Sequence, residues 1–264
     1  MTYSSSIFVA LLLFAADNKS PGLPAYEKAN SLFVAKNFPE ALVAVEEALR
    51  LDPKLVPALT LHAKIAMAAN RFDLAQASLE QAIKVAPSSG YAQFLYGLNF
   101  YLANDLKMAL PQFEKVRQLE PNDPRAALYL GLTNESLGKT TEAMALYEEA
   151  VRLEERAKTA QAETYLTGAR LLFLLGRLDQ CEAWVRAALR LSPKSREGHF
   201  EFARLLLEKN DLTRAALEGE AALLLPGAAP PEAQIHYLLI RAYRTIKPDQ
   251  AARHAAAVRA LEAK

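Results

Sequence analysis

Residues 95–121 read LYGLNFYLANDLKMALPQFEKVRQLEP, and this stretch decides the fold. Small or apolar residues recur every three or four positions on both sides of Asn104 and Asp105. They are Gly97 and Phe100 before this break, and Ala109, Phe113 and Val116 after it. Such spacing is typical of one face of an α-helix, so the stretch predicts two helices joined by a short turn. Pro121 follows the second helix, which a proline cannot continue.

The same pattern recurs along the chain at a nearly constant spacing. One series of small residues lies in the first helices, at Ala29, Ala63, Gly97, Gly131, Ala169 and Ala203, with steps of 34, 34, 34, 38 and 34. Two series in the second helices have the same steps: Ala41, Ala75, Ala109, Ala143, Cys181 and Ala215, then Ala48, Ala82, Val116, Ala150, Ala188 and Ala222. A proline closes four units, at Pro53, Pro87, Pro121 and Pro193. Small residues let crossing helices approach closely, so these series predict a tandem array of helix pairs.

Residues 95–121 and the equivalent stretch LYLGLTNESLGKTTEAMALYEEAVRLE at 128–154 resemble the tetratricopeptide repeat, a 34-residue helix–turn–helix unit. The resemblance covers residues 22–229 as six units, and residues 230–264 read as a degenerate seventh pair that caps the array. It implies an all-α fold, a right-handed superhelical solenoid of antiparallel helix pairs whose first helices line the concave side. It also implies a non-catalytic scaffold that holds a peptide or helix of another protein.

Two places depart from the repeat. The step of 38 predicts a four-residue insertion near residues 158–161, within the helix-forming stretch LEERAKTAQAE. We interpret it as a lengthened second helix and a looser turn, which is either a tolerated insertion or a functional hinge. The sequence PGAAPP at 226–231 predicts a stiff loop before the last pair.

Residues 1–21 precede the repeats and contain an apolar run, Ile7–Ala16. Its ten residues are too few to span a bilayer as a helix, but they suit the core of a signal peptide. The residues before it include no Lys or Arg, which an export signal usually carries. Three interpretations stay open: an export signal, an uncleaved helix that packs on the first repeat, or a disordered tail. The first implies an exported, periplasmic protein, and the alternative is a cytoplasmic one.

Composition and motifs argue against catalysis. The 264 residues include 31 Lys and Arg against 30 Asp and Glu, so no overall basic field favours nucleic acid. The single Cys and the four His fall at no metal-ligand spacing, and HExxH, GxGxxG, GxxxxGK[ST] and GxSxG motifs are missing from the sequence. We therefore expect no catalytic residue, metal, cofactor or membrane span. Cys181 stands in a small-residue series and is expected to be buried.

First-helix residues that point away from the second helix are expected to line the concave face. By register, the candidate partner-binding residues are Tyr26, Asn30, Phe33, Lys64, Tyr91, Phe94, Tyr101, Leu128, Arg170, Phe173, Phe200 and Arg204. The wider set adds Thr60, Met67, Leu98, Leu132, Glu135, Leu166 and Leu207. This largely apolar and aromatic set favours a peptide or amphipathic helix as the partner. Alternatively, the aromatic side chains pack on neighbouring first helices and are buried.

These observations predict a protein–protein interaction scaffold. One alternative is a structural module that assembles with copies of itself. Another is an accessory subunit of an enzyme or of an envelope-assembly complex. The expected partner is thus a protein or peptide, with self-association as a further option.

Overall fold

A computed structural model describes residues 20–263 of the chain. These residues form fourteen α-helices and no β-strand, which confirms the all-α prediction for this part of the chain. The three interpretations of Ile7–Ala16 concern residues outside the described range. None of the fourteen helices is both long enough and apolar enough to cross a membrane.

The helices form consecutive pairs, grouped in two compact units. The unit of residues 20–121 holds three pairs: α1 (Leu23–Val34) with α2 (Phe38–Leu51), α3 (Val56–Ala68) with α4 (Phe72–Val85), and α5 (Gly90–Leu102) with α6 (Leu106–Leu119). The unit of residues 122–263 holds four pairs: α7 (Pro124–Ser136) with α8 (Thr140–Ala157), α9 (Ala162–Leu174) with α10 (Leu178–Leu191), α11 (Arg196–Glu208) with α12 (Leu212–Leu224), and α13 (Glu232–Ile246) with α14 (Pro248–Glu262). Within each unit, the second helix of one pair also packs on the first helix of the next.

The small-residue series lie where paired helices cross. Every alanine of the three series is buried. A Cβ added to Gly97 on α5 would stand 2.8 Å from Cε1 of Phe113 on α6, and one added to Gly131 would stand 2.6 Å from Cε1 of Tyr147. Both distances are shorter than a van der Waals contact, so an aromatic ring fills the space that a side chain would need. The predicted close approach of the paired helices is confirmed at these crossings.

The turn inside each of the first six pairs is short and contains a residue of left-handed backbone conformation. Asn70, Asn104 and Asn210 have φ near +60°, and Gly138 and Gly176 have φ of +78° and +70°. In the second pair, the N–H of Asn70 and of Arg71 donate to carbonyls of the last turn of α3, those of Met67 and Ala66. Asn and Gly tolerate this conformation, so the polar turn residues end the first helix and reverse the chain.

The predicted insertion corresponds to an extended α8. This helix has 18 residues, against 14 in α6, and ends at Ala157 before Lys158 with φ of +58°. Glu154 in its last turn is buried, and its carboxylate accepts hydrogen bonds from Gln161 N at 3.0 Å and Thr164 Oγ1 at 2.7 Å. The side chain of α8 thus satisfies donors at the start of α9, where the first backbone N–H groups lack partners inside the helix.

The loop before the last pair is held by one arginine. Arg196 on α11 donates from Nη1 to the carbonyl oxygen of Leu225 at 3.0 Å and from Nε to that of Pro230 at 3.2 Å. Two histidines are buried between α13 and α14, with Nδ1 of His236 2.9 Å from Nδ1 of His254. The last pair therefore contains a buried polar contact between its two helices.

Candidate functional site

In the unit of residues 20–121, the predicted groove residues differ in exposure. Asn30 and Tyr91 are exposed, while Tyr26, Phe33, Lys64 and Tyr101 are half-buried. Lys64 Nζ lies 4.6 Å from the centre of the Phe33 ring, which is a cation–π distance. This contact joins the first helices α1 and α3, because Phe33 belongs to α1 and Lys64 to α3.

The prediction that Phe94 lines the groove is wrong. Its side chain is 6% exposed, and its ring centre lies 5.9 Å from that of Phe113 on α6. Phe94 precedes Gly97 by three residues, so both lie on the helix face that meets α6. Thr60, Met67 and Leu166 from the wider set are buried as well. These side chains are buried, and Phe94 packs against the second helix of its own pair, whereas the alternative interpretation expected contact with a neighbouring first helix.

In the unit of residues 122–263, a charged and aromatic cluster spans α9 and α11. The guanidinium carbon of Arg204 lies 4.3 Å from the centre of the Phe173 ring. Arg204 Nη2 is 3.0 Å from Oε2 of the buried Glu201, and Arg170 forms an ion pair with Glu197. Each arginine thus faces a glutamate of α11. We call Arg170, Phe173, Glu197, Glu201 and Arg204 the arginine–phenylalanine cluster.

Burial and charge act in opposite directions on Glu201. Burial raises the pKa of its carboxyl above the ordinary value, and the positive charges of Arg204 and then Arg170 lower it in part. Arg204 Nε is buried and has no hydrogen-bond acceptor among the described residues. A buried donor without an acceptor costs roughly 1–3 kcal/mol. The Arg204 side chain as a whole is half-buried, and its Nη2 is held by Glu201.

A cavity of about 370 Å³ adjoins this cluster and is lined by α7 and α9 residues: Leu132, Glu135, Ser136, Thr167 and Arg170. Glu135 is held in place by the hydroxyl of Tyr147, whose Oη donates to Oε2 at 2.5 Å. Leu128, Leu132 and Phe173 are half-buried and pack against the core of this unit. The cavity wall is therefore fixed by core packing and by a hydrogen bond from the second helix α8.

Phe200 and Leu207, two further predicted residues on α11, are half-buried as well. Phe200 packs against Ala222, Ile235 and Leu239, which belong to α12 and α13, while Leu207 packs against the same core as Phe173. Register alone predicted the helix faces of these residues. It did not predict the two glutamates, Glu197 and Glu201, that pair with the arginines, although the spacing of Glu201 and Arg204 (i, i+3) is a recognisable signal.

His254 contacts two other titratable groups, with Nδ1 2.9 Å from Nδ1 of His236 and Nε2 3.1 Å from Oε1 of Glu220. Residues 20–263 contain no cluster of three or more His, Cys, Asp or Glu side chains that could hold a metal ion. Cys181 is buried, and burial raises the pKa of its thiol to about 11. A thiol in this state is a poor nucleophile. It fills a small-residue position, as the repeat register predicted.

Paired helices stacked in this way define a class of α-helical repeat protein. Residues 60–116 and 103–162 match the family model for the tetratricopeptide repeat. Residues 60–162 are therefore tetratricopeptide repeats, and the resemblance stated from the sequence is confirmed for this part of the chain. Repeats of this family are scaffolds for protein–protein interaction and are generally non-catalytic. The prediction of a protein–protein interaction scaffold agrees with this property of the family.

Solved structures share the fold at low sequence identity. PilF of Pseudomonas aeruginosa is 19% identical, with a TM-score of 0.67 over 75% of this chain and 89% of its own. TTC0263, a thermophilic repeat protein of Thermus thermophilus, is 21% identical, with a TM-score of 0.59 over 70% and 99%. A chain in the crystal structure of the APC/C hetero-tetramer Cut9–Hcn1 is 20% identical, with a TM-score of 0.60. The match covers 86% of this chain but only 44% of the length of that chain. Among curated proteins, none matches the sequence.

Proposed function

We propose that this protein is a docking scaffold whose binding face is formed by the first helices of the unit of residues 122–263. The observation that carries the proposal is the half-buried arginine–phenylalanine cluster, in which the Arg204 guanidinium lies over Phe173 and beside Glu201, next to a cavity lined by Arg170. A partner with apolar side chains and a carbonyl or carboxylate oxygen would contact the exposed part of this cluster.

The apolar surroundings favour a partner that is itself amphipathic. Leu128, Leu132 and Phe173 are half-buried, and Leu174 at the end of α9 is 73% exposed. The two arginines are balanced by Glu197 and Glu201, so the cluster has no large net charge to attract a strongly acidic chain. An amphipathic helix or an extended peptide with apolar anchors and one acceptor fits this surface best.

Site-specific photo-crosslinking in the native cell tests the proposal. Ser136 is exposed and lines the cavity, so a photoreactive residue there should crosslink to one protein partner. Leu217 on the second helix α12 is 65% exposed and serves as the matched position from which the same adduct should be missing. Equal adducts from both positions would contradict the assignment of the face.

A conservative substitution then tests the role of Arg204. Arg204→Lys keeps the positive charge beside Glu201 but removes the Nε donor and the planar group over Phe173. We expect this variant to lose most of the Ser136 adduct while its helical content, measured by circular dichroism, stays the same. An undiminished adduct would show that the partner does not use the Arg204 guanidinium.

A further inference from the structure

Two buried histidines join the helices of the last pair. His236 of α13 and His254 of α14 are 6% and 8% exposed, and their Nδ1 atoms lie 2.9 Å apart. Nε2 of His254 lies 3.1 Å from Oε1 of Glu220 on α12, and Nε2 of His236 lies 3.6 Å from Oε1 of Glu232 on its own helix. Each imidazole therefore has one nitrogen facing a carboxylate and the other facing the second histidine.

These contacts determine where the imidazole protons lie. A carboxylate only accepts hydrogen bonds, so Nε2 of His254 carries the proton of its contact with Glu220. In a neutral His254 the other nitrogen, Nδ1, is then an acceptor, and Nδ1 of His236 donates to it. One additional proton fits at Nε2 of His236, beside the Glu232 carboxylate.

A second additional proton does not fit. It would bind at Nδ1 of His254, where it would meet the N–H of His236 across 2.9 Å. Two donors would then face each other without an acceptor, and two positive imidazolium rings would be in contact in a buried place. The doubly protonated pair is thus incompatible with the observed packing of α14 on α13.

The other groups around the pair do not relieve this conflict. Tyr243 of α13 stacks on the His254 ring at 5.7 Å between centres, and its hydroxyl donates to Glu220 Oε1 at 3.2 Å. Helix α11 also packs on α13, through the apolar side chain of Phe200. The Glu220 and Glu232 carboxylates lie at the Nε2 atoms, so they stabilise protons there and not between the two Nδ1 atoms.

Few other contacts hold α14 in place. Among the described helices it packs chiefly on α13, and of its fifteen described residues only His254 and Val258 are buried. Tyr237 of α13 donates to Glu262 of α14 at 2.8 Å, but both side chains are exposed, where water competes for such a bond. The histidine contact therefore decides how firmly α14 is held.

We propose that His236 and His254 form an acid-sensitive latch, which holds α14 on α13 and releases it when both imidazoles are protonated. An exposed imidazole binds a proton below about pH 6.5, so below this pH the released state binds one proton more than the closed state. The closed state is thus favoured above this pH and loses stability below it. Release uncovers the face of α13 that carries His236. The latch is independent of the docking face on α7, α9 and α11.

Hydrogen exchange of the full-length chain tests the latch. After correction for the intrinsic pH dependence of exchange, the protection of residues 248–262 should fall about tenfold for each pH unit between 6.5 and 5, as one added proton requires. The protection of α9 in the same unit should change little. A parallel fall in α9 and α14 would overturn the proposal, because the whole unit would then be unfolding.

His236→Asn is the matched variant. An asparagine amide turns either its NH2 group or its oxygen towards Nδ1 of His254, so it accommodates both protonation states of that histidine. The protection of α14 in this variant should not change between pH 6.5 and 5. His199→Asn, which replaces a histidine of α11 outside this contact, should keep the pH dependence of the natural protein. An equally steep fall in His236→Asn would contradict the latch.

Nuclear magnetic resonance of the imidazole nitrogens in the natural protein gives a measurement that does not depend on any variant. Nδ1 of His254 should gain its proton only as the protection of α14 is lost. Protons on both Nδ1 atoms while α14 stays protected would rule out the proposed conflict and with it the latch.

Discussion

Glu154 on α8 and Thr164 on α9 share a buried hydrogen bond, with Oγ1 donating to Oε1 at 2.7 Å. The other carboxylate oxygen accepts from the backbone N–H of Gln161 at 3.0 Å. Both contacts bridge the inserted residues, so the end of α8 and the start of α9 are tied by one side chain. Between the two interpretations of the insertion, this geometry favours a tolerated, ordered connection over a hinge.

Glu154→Ala should lower the free energy of unfolding by about 1–3 kcal/mol, because it leaves donors of Gln161 and Thr164 without their acceptor. Glu154→Gln can keep both contacts, since its oxygen accepts from Gln161 and its amide donates to the threonine hydroxyl. Urea denaturation of the two variants measures the difference. Equal loss in both would mean that the charge, and not the hydrogen bonds, is what holds the connection.

The pH dependence of the Glu154 contribution has a definite sign. Burial raises the pKa of this carboxyl, and its hydrogen bonds offset the shift only in part. A raised carboxyl pKa means that the folded state binds the proton more tightly than the unfolded state. The stability of the natural protein relative to Glu154→Gln should therefore rise as pH falls from 7 towards 4. A difference that is constant with pH would contradict this expectation.

His62 should make the unit of residues 20–121 sensitive to acid. Burial is the main cause that lowers the pKa of its imidazole below 6.5, and Nδ1 lies 2.7 Å from Ser78 Oγ. A lowered histidine pKa gives stability that is present above the ordinary value and is lost as pH falls through it. His62→Asn should flatten the pH dependence of unfolding between pH 7 and 5, as followed by circular dichroism.

His199 in the other unit should act in the opposite direction. Its Nδ1 lies 2.6 Å from Glu218 Oε2, and this contact raises the pKa of the imidazole above 6.5. The resulting stability is present below the ordinary value and disappears as pH rises through the raised one. The natural protein should therefore exceed His199→Asn in stability at pH 5 but not at pH 9. If both histidine substitutions changed the pH dependence of stability in the same direction, another group would control that dependence.

A bulky residue at a helix crossing tests the repeat register. Ala75 on α4 is completely buried, so Ala75→Phe should lower the stability by about 1–3 kcal/mol through overpacking. Ala77 lies two residues further on the same helix and is exposed, so Ala77→Phe is the matched control. Thermal unfolding should separate the two variants by several degrees. Identical melting temperatures would place the crossing elsewhere.

Phe94 and Phe173 should have different roles although both are first-helix phenylalanines. Phe94→Ala removes a core side chain that packs near Phe113 and should cost about 3–5 kcal/mol. Phe173 is half-buried beside Arg204, so Phe173→Ala should reduce partner crosslinking at Ser136 more than it reduces stability. Urea denaturation and crosslinking of both variants make the comparison.

The repeat array was predictable because close helix crossings leave a trace in the sequence. Ala29, Ala63 and Gly97 recur at a fixed step, and each marks a crossing that the structure confirms. The groove was predictable only as a set of helix faces. Register places Phe94 and its equivalent Leu128 on the same helix face, but it does not predict that Phe94 is buried while Leu128 is half-buried.

Contacts between distant residues had no comparable signal. Arg170 and Glu197 are separated by 27 residues, and Gln161 meets Glu154 across an insertion that has no equivalent in the other units. The contact between Arg170 and Glu197 depends on how one helix pair stacks on the next. The contact between Gln161 and Glu154 depends on the local path of the backbone. Neither follows from periodicity, which describes one helix face at a time.

The crossings of glycine with aromatic rings have an evolutionary consequence. At two crossings a glycine meets the aromatic residue 16 positions further on: Gly97 meets Phe113, and Gly131 meets Tyr147. In both cases the larger second-helix residue stands opposite the smaller first-helix residue. In relatives, a substitution at one position should therefore occur together with a compensating change at the other. The two positions should covary so that their combined side-chain volume stays nearly constant.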